Sequence, residues 1–149
     1  MEELSGTVLA GESFEPVRGR VVVDDGRIEA IEETDTASTD IVVPAFVNAH
    51  THLGDSVAKE AAVGLSLDEA VAPPDSLKHR RLAAADRADL VAAMRRTLRF
   101  MRRTGTVSTL DFRESGTYGA RALRDAADPV GVDPFIFGSD DPAVLDVAD

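Results

Sequence analysis

A chain of 149 residues, 44% apolar and without cysteine, has room for one domain core and excludes both disulfides and thiolate metal ligands. Its 27 acidic residues outnumber 16 basic ones, and a formal charge of -11 disfavours non-specific binding to nucleic acid or anionic membranes. No apolar run approaches the ~20 residues of a membrane-spanning helix, and the acidic start Met1-Glu2-Glu3-Leu4-Ser5 is unlike a secretion signal. We therefore expect a cytoplasmic protein with neither a nucleic-acid nor a membrane partner.

The acidic surplus is mostly Asp, and Lys59 and Lys78 are the only lysines. Like charges repel in dilute buffer and are screened by salt, so adaptation to a salty, halophilic cytoplasm is one expectation. An ordinary acidic surface is the other.

Taken in order, the first forty residues read as short strands and turns. Ser5 to Ala10 is an apolar strand and Gly11 to Pro16 a loop. Arg18 to Val23 and Arg27 to Ile31 flank Asp25-Gly26, a pair that predicts a tight hairpin because both residues tolerate positive φ. Glu32 to Asp40 reads as a solvated acidic loop.

Ile41 to Asn48 is an apolar run suited to a strand buried on both faces. It continues to Gly54 through His50 and His52. Side chains two apart on a strand share a face, so the two imidazoles project together, with Asn48 below them. Such a pair can offer ring nitrogens to one divalent metal, zinc first and iron as an alternative. The plain alternative is two satisfied polar residues.

Ser56 to Ala85 reads as an irregular segment with two short helical pieces, around Val57 to Val63 and Leu67 to Val71, split by Gly64 and closed by Pro73-Pro74. A long loop at this end of a strand covers or shapes a site. Asp68, Glu69 and His79 read as solvated loop residues. Lys59 and Lys78 both fall here, by chance or to bind an anion.

Asp86 to Arg103 has a capping Asp86, an acidic Asp89 near the positive helix end, and an apolar stripe of Leu90, Met94, Leu98 and Met101. Its arginines read as a solvated face, and Gly105 as the residue that ends it. Thr106 to Phe112 is the next strand, which completes a βαβ unit. Asp111, Arg113 and Glu114 mark its C-terminal end, beside His50 and His52 if the two strands are neighbours; Asp111 and Arg113 share one face and Leu110 and Phe112 the other. Beside the histidines, either Asp111 or Arg113 would hold substrate or orient a metal-bound histidine; a structural Asp–Arg pair is the alternative. Tyr118 to Ala127 predicts a second helix, Pro134 to Gly138 a third strand, and Asp140-Asp141-Pro142 the start of a third helix.

The run Pro44-Ala45-Phe46-Val47-Asn48-Ala49-His50-Thr51-His52 resembles the opening Pro-Gly-Phe-Val-Asn-x-His-x-His of the amidohydrolase superfamily, departing at Ala45. Asp55-Ser56-x-x-Lys59-Glu60 and Pro73-Pro74-Asp75-x-Leu77-Lys78-His79 are similar to an archaeal, cytosine-deaminase-like or chlorohydrolase-like subgroup. The resemblance implies an α/β fold: residues 1–40 as part of a small β-sandwich, resembling it most at Val22 to Glu33, and 41–149 as the first three βα units of a (β/α)8 barrel. A whole barrel takes about 250 residues, so the barrel is expected to be incomplete here.

The resemblance also implies a metal-dependent hydrolase that cleaves C–N bonds, by cyclic amide or amidine hydrolysis or by deamination, through a metal-activated water. His50 and His52 would be metal ligands; Asp55, Lys59, Lys78, Asp111 and Arg113 would contact a small-molecule substrate. The catalytic Asp and the other ligands are expected beyond residue 149, so the chain alone should be inactive until a C-terminal half or a homo-oligomer completes it. Two other readings are a non-catalytic self-associating or binding module of the same fold, and an unrelated α/β domain with an accidental His-x-His.

Overall fold

The computed structural model describes residues 1–138, so the helix expected from Asp140 lies outside the described residues. The chain divides into two units, one ending at Ala45 and the other beginning at Phe46.

The first unit is a four-stranded sheet in the order β3-β2-β1-β4: β1 Glu2–Leu9, β2 Pro16–Asp24, β3 Arg27–Glu33 and β4 Ile41–Val42. The hairpin between β2 and β3 closes at Asp25-Gly26, as the turn chemistry predicts. β1 starts earlier than its apolar residues suggest because it is paired with β2 along its whole length, from Glu2 opposite Val23 to Leu9 opposite Pro16. Val8, Val21 and Val22 are its buried apolar residues.

The single strand expected over Ile41 to Asn48 is broken. Ile41 and Val42 pair in parallel with Thr7 and Val8 of the first sheet, and a new strand begins at Phe46, whose N–H donates to the Gly105 carbonyl at 2.9 Å. Pro44 explains the break, since it has no N–H to give a ladder and restricts the residue before it. The unit boundary accordingly falls after Ala45 rather than at Asp40.

The second unit holds a three-stranded parallel sheet, β5 Phe46–Thr51, β6 Thr106–Arg113 and β7 Asp133–Gly138, in sequence order. Its helices are α1 Leu67–Val71, α2 Leu77–Ala84, α3 Arg87–Arg103 and α4 Gly116–Ala127, with two 3₁₀ turns, Leu53–Val57 and Lys59–Ala62. The described residues thus supply a mixed α/β architecture with three parallel strands, not a closed barrel, and one sheet ahead of them, not two layers.

α3 forms where expected. Asp86 accepts from the Asp89 N–H at 2.8 Å, and Leu90, Ala93, Met94 and Leu98 are buried. Gly105, at φ +90, takes the left-handed turn that ends it. α4 buries Ala122, Leu123 and Ala126, and Leu53, Val132 and Ile136 complete the core on the helix-covered side of the sheet. α2 was not expected. None of its residues is buried, so Leu77–Ala84 carries no apolar stripe to read; Leu, Arg and Ala favour helix on propensity alone. Ser76, just before it, is buried and bonds the His79 ring at 2.8 Å.

The strand carrying the histidines is exposed over Phe46 to His50, contrary to the expectation of burial on both faces. Among the described residues it is an edge strand, and their helices pack against one side of its sheet. Among the described residues no helix is long and apolar enough to cross a membrane.

Candidate metal centre

The histidine pair sits where β5 leaves regular pairing. Asn48 lies opposite Thr109 and Thr51 opposite Asp111, so β5 spends one more residue than β6 over this step. Such a bulge bends a strand and re-aims its side chains. The Asn48 side-chain oxygen accepts from the His50 N–H at 3.4 Å inside it. The two rings converge, with their Nε2 atoms 3.3 Å apart. Phe112 backs both, 4.7 Å from the His50 ring and 5.8 Å from His52, and stacks on Phe137 at 5.3 Å.

This arrangement fits two ligands of one ion. Two nitrogens bound tetrahedrally to zinc at ~2.0–2.1 Å stand about 3.3 Å apart, and both rings are exposed rather than consumed by the core. Among the described residues no group of three or more His, Cys, Asp or Glu side chains is placed to hold a metal. Such a pair would supply only part of a coordination shell.

Charged groups converge on the other side of His52. Its Nδ1 lies 3.4 Å from Glu114 Oε1 and 3.5 Å from Lys78 Nζ. Lys78 reaches Glu114 Oε1 at 2.5 Å and Asp55 Oδ2 at 3.2 Å, and its side chain is only 12% exposed. A lysine so matched has little charge to offer an anion, unlike Lys59, which is exposed on a 3₁₀ turn. Asp55 Oδ1 is buried without a hydrogen-bond partner among the described residues. Burial alone would raise the Glu114 carboxyl, but the hydrogen bond from Lys78 and the Arg113 charge outweigh it and hold it at about 2.

Asp111 and Arg113 do share a face, but it is not the face of the histidines. Phe112 is the residue that meets His50 and His52; Asp111 and Arg113 point under the helices, 0% and 3% exposed. Asp111 Oδ2 accepts from the Leu53 N–H at 2.6 Å and the Thr51 hydroxyl at 2.9 Å, and Oδ1 from Arg113 at 3.1 Å. Burial raises the Asp111 carboxyl, against the lowering effects of Arg113, Leu53 and Thr51. Arg113 also contacts Met94 and grips Glu114. Gly54 makes room for it: a Cβ there would stand 2.2 Å from Arg113 Nη2. The expectation that these two side chains open toward the histidines is corrected, and the structural Asp–Arg pair is what the geometry places here. The reason is that alternation assigns faces without saying which one the helices cover.

A model of the Amidohydrolase family matches residues 41–145. The chain belongs to the amidohydrolase family. It is 39% identical over 149 residues to an archaeal protein provisionally named aminohydrolase, from Methanothermobacter thermautotrophicus, covering 95% of this chain and 38% of that one. Against the curated relatives it matches, the chain spans between 34% and 38% of their length. Among solved structures it resembles a molinate hydrolase (TM-score 0.56, 18% identity, 89% of this chain and 28% of that one) and an E. coli guanine deaminase (TM-score 0.54, 16% identity, 99% and 38%). At such identities the likeness is one of fold.

In this member of the family the His-x-His spacing and its strand could be read from the residues. The sequence places Glu114 with Asp111 and Arg113 at the strand end beside the histidines but gives it no role, and Thr51, between the histidines, has no polar partner in view.

Proposed function

We propose that His50 and His52 are the first two metal ligands of a hydrolase acting on C–N bonds, by amide or amidine hydrolysis or by deamination. The convergence of their Nε2 atoms at 3.3 Å carries this reading. Zinc suits the nitrogen pair, with iron as the alternative. When bound, the ion would act as a Lewis acid and activate a water for attack on carbon. The chain's own residues hold and aim the rings: the bulge after Asn48 turns them outward, Phe112 backs them, and Glu114 and Lys78 flank His52. Asp55 and Lys59 are the remaining candidates for substrate contact. Other ligands and the catalytic carboxylate would come from polypeptide equivalent to the part of the relatives this chain does not match, or from a second copy.

A saturable zinc site in the full chain, measured by titration calorimetry and lost in a His50→Ala/His52→Ala variant, is the expected result. Equal uptake by both chains would sink the reading. Binding near one ion per chain that survives dialysis would mean that further ligands are already in place.

A second reading, a non-catalytic self-associating module, is favoured by Phe46, Val47, Phe112, Phe135 and Phe137, all exposed along the parallel strands. Association that is independent of metal and of the two histidines, in sedimentation runs of the same samples, would support it.

A further inference from the structure

The two nitrogens of the His52 ring have unequal surroundings. Nε2 meets His50 Nε2 at 3.3 Å, and Nδ1 meets Glu114 Oε1 at 3.4 Å and Lys78 Nζ at 3.5 Å. A neutral imidazole carries one proton, so only one nitrogen keeps a lone pair. With the proton on Nε2, that nitrogen faces His50 as a donor and Nδ1 accepts from Lys78. With the proton on Nδ1, His52 donates to Glu114 and Nε2 stays an acceptor.

The neighbours decide between these. Lys78 lies closer to Glu114 and Asp55, at 2.5 and 3.2 Å, than to His52. An ionised Glu114 can only accept, and its two oxygens offer about four lone-pair sites. Arg113 takes Oε2 and Lys78 takes part of Oε1, which leaves Oε1 able to receive Nδ1–H.

We propose that Glu114 is a positioning residue for His52: it accepts the Nδ1 proton and so leaves the Nε2 lone pair facing His50, where a divalent metal would be held. Glu114 is itself held from beneath. Arg113 grips it from the buried side of β6, is braced by Asp111, and has space only because position 54 is glycine. The buried polar network thereby sets the orientation of an exposed ring, a role that the His-x-His motif does not assign to the residue that follows β6.

The metal-holding clause rests on the proposed function, whereas the tautomer does not, so the two are tested apart. Long-range proton–nitrogen spectra of the metal-free, nitrogen-15-labelled full chain, assigned with His50→Ala and His52→Ala, report which His52 nitrogen is protonated. Wild type and Glu114→Gln, whose amide oxygen still accepts, should hold Nδ1–H. Glu114→Leu should shift His52 toward Nε2–H, with the backbone amide spectrum retained as the check on folding. Lys78→Met, which leaves the carboxylate, should keep Nδ1–H and keeps the test open if Glu114→Leu does not fold. Wild type mainly Nε2–H, an unchanged tautomer in folded Glu114→Leu, or conversion by Lys78→Met would each overturn the proposal. Zinc titration of the same chains should show affinity about 10–100-fold weaker in Glu114→Leu and nearer wild type in Glu114→Gln; equal affinities would overturn the metal-holding clause. A wild type that shows the Glu114-dependent tautomer yet binds no zinc would support the positioning role and remove only the metal reading beneath it.

Discussion

Two arginines in this chain each hold two carboxylates. Arg20 on β2 spans Glu3 on β1 at 3.0 Å and Glu32 on β3 at 2.7 Å. All three are well exposed. Arg113 at the end of β6 holds Asp111 at 3.1 Å and also grips Glu114, but it lies under the helices with its side chain 2% exposed. The residue types are the same and the surroundings are opposite. In water, attraction between charges is screened and the ordering of long side chains offsets much of it. Under the helices the attraction is stronger, yet each charge has lost its hydration, so the group is stable only while every partner is present. The exposed set ties together three strands that are already paired. The buried set joins β6 to the Leu53 backbone, to Thr51 and, through Glu114, to His52. Burial turns an ion pair from surface decoration into a means of fixing the side chains around it.

Removing each arginine is the strongest way to break that comparison. Arg113→Met leaves the Asp111 charge buried and unmatched, and should lower unfolding free energy by about 3–5 kcal/mol in urea melts. A loss no larger than that of a surface substitution would mean that water reaches Asp111.

Acid should separate the two sets next. Glu114 titrates near 2 in the folded chain, below the ordinary 4.5. Its contribution is therefore complete above pH 4.5 and is lost as pH falls toward 2, amounting to about 3 kcal/mol. Asp111 works in the opposite sense, because burial raises its carboxyl and makes proton uptake easier in the folded chain. The informative quantity is thus the difference between wild type and Glu114→Gln in urea midpoints across this range. Parallel profiles would remove the claim that Lys78 and Arg113 depress Glu114.

The smallest effect is expected from Arg20→Met. Melting midpoints in dilute buffer and in molar KCl should hardly separate it from wild type. In the same runs, a wild-type midpoint that rises with salt would fit screening of the -11 charge, and no rise would count against salt adaptation.

Some of this protein was legible residue by residue. The Asp25-Gly26 hairpin, the stripe of α3 from Leu90 to Leu98, the parallel strands β6 and β7, and the shared face of His50 and His52 all follow from local periodicity and turn chemistry. These features depend on neighbours a few positions away. The first missed element, α2, is helical without burying any residue, so no apolar pattern marked it. The broken strand at Pro44 was readable in principle, since proline cannot sit within a ladder, but the apolar run on either side of it masked the signal.

The sequence put Glu114 at the strand end near His52, but tertiary structure decided which neighbouring groups reach the ring. Alternation placed Asp111 with Arg113 and Phe112 opposite, but only the packing of the helices determines which face is core. Glu114, Lys78 and Asp55 come from a strand end, a helix and a turn that no periodicity connects, and they meet because Gly54 lets Arg113 pass and Lys78 lies in a helix that returns over the same turn. The sequence by itself determined which residue types could bind a metal and that two of them share a face. The choice of the carboxylate that steadies one of them depended on distance in space, because electrostatics and hydrogen bonding act through space and leave no period in the chain.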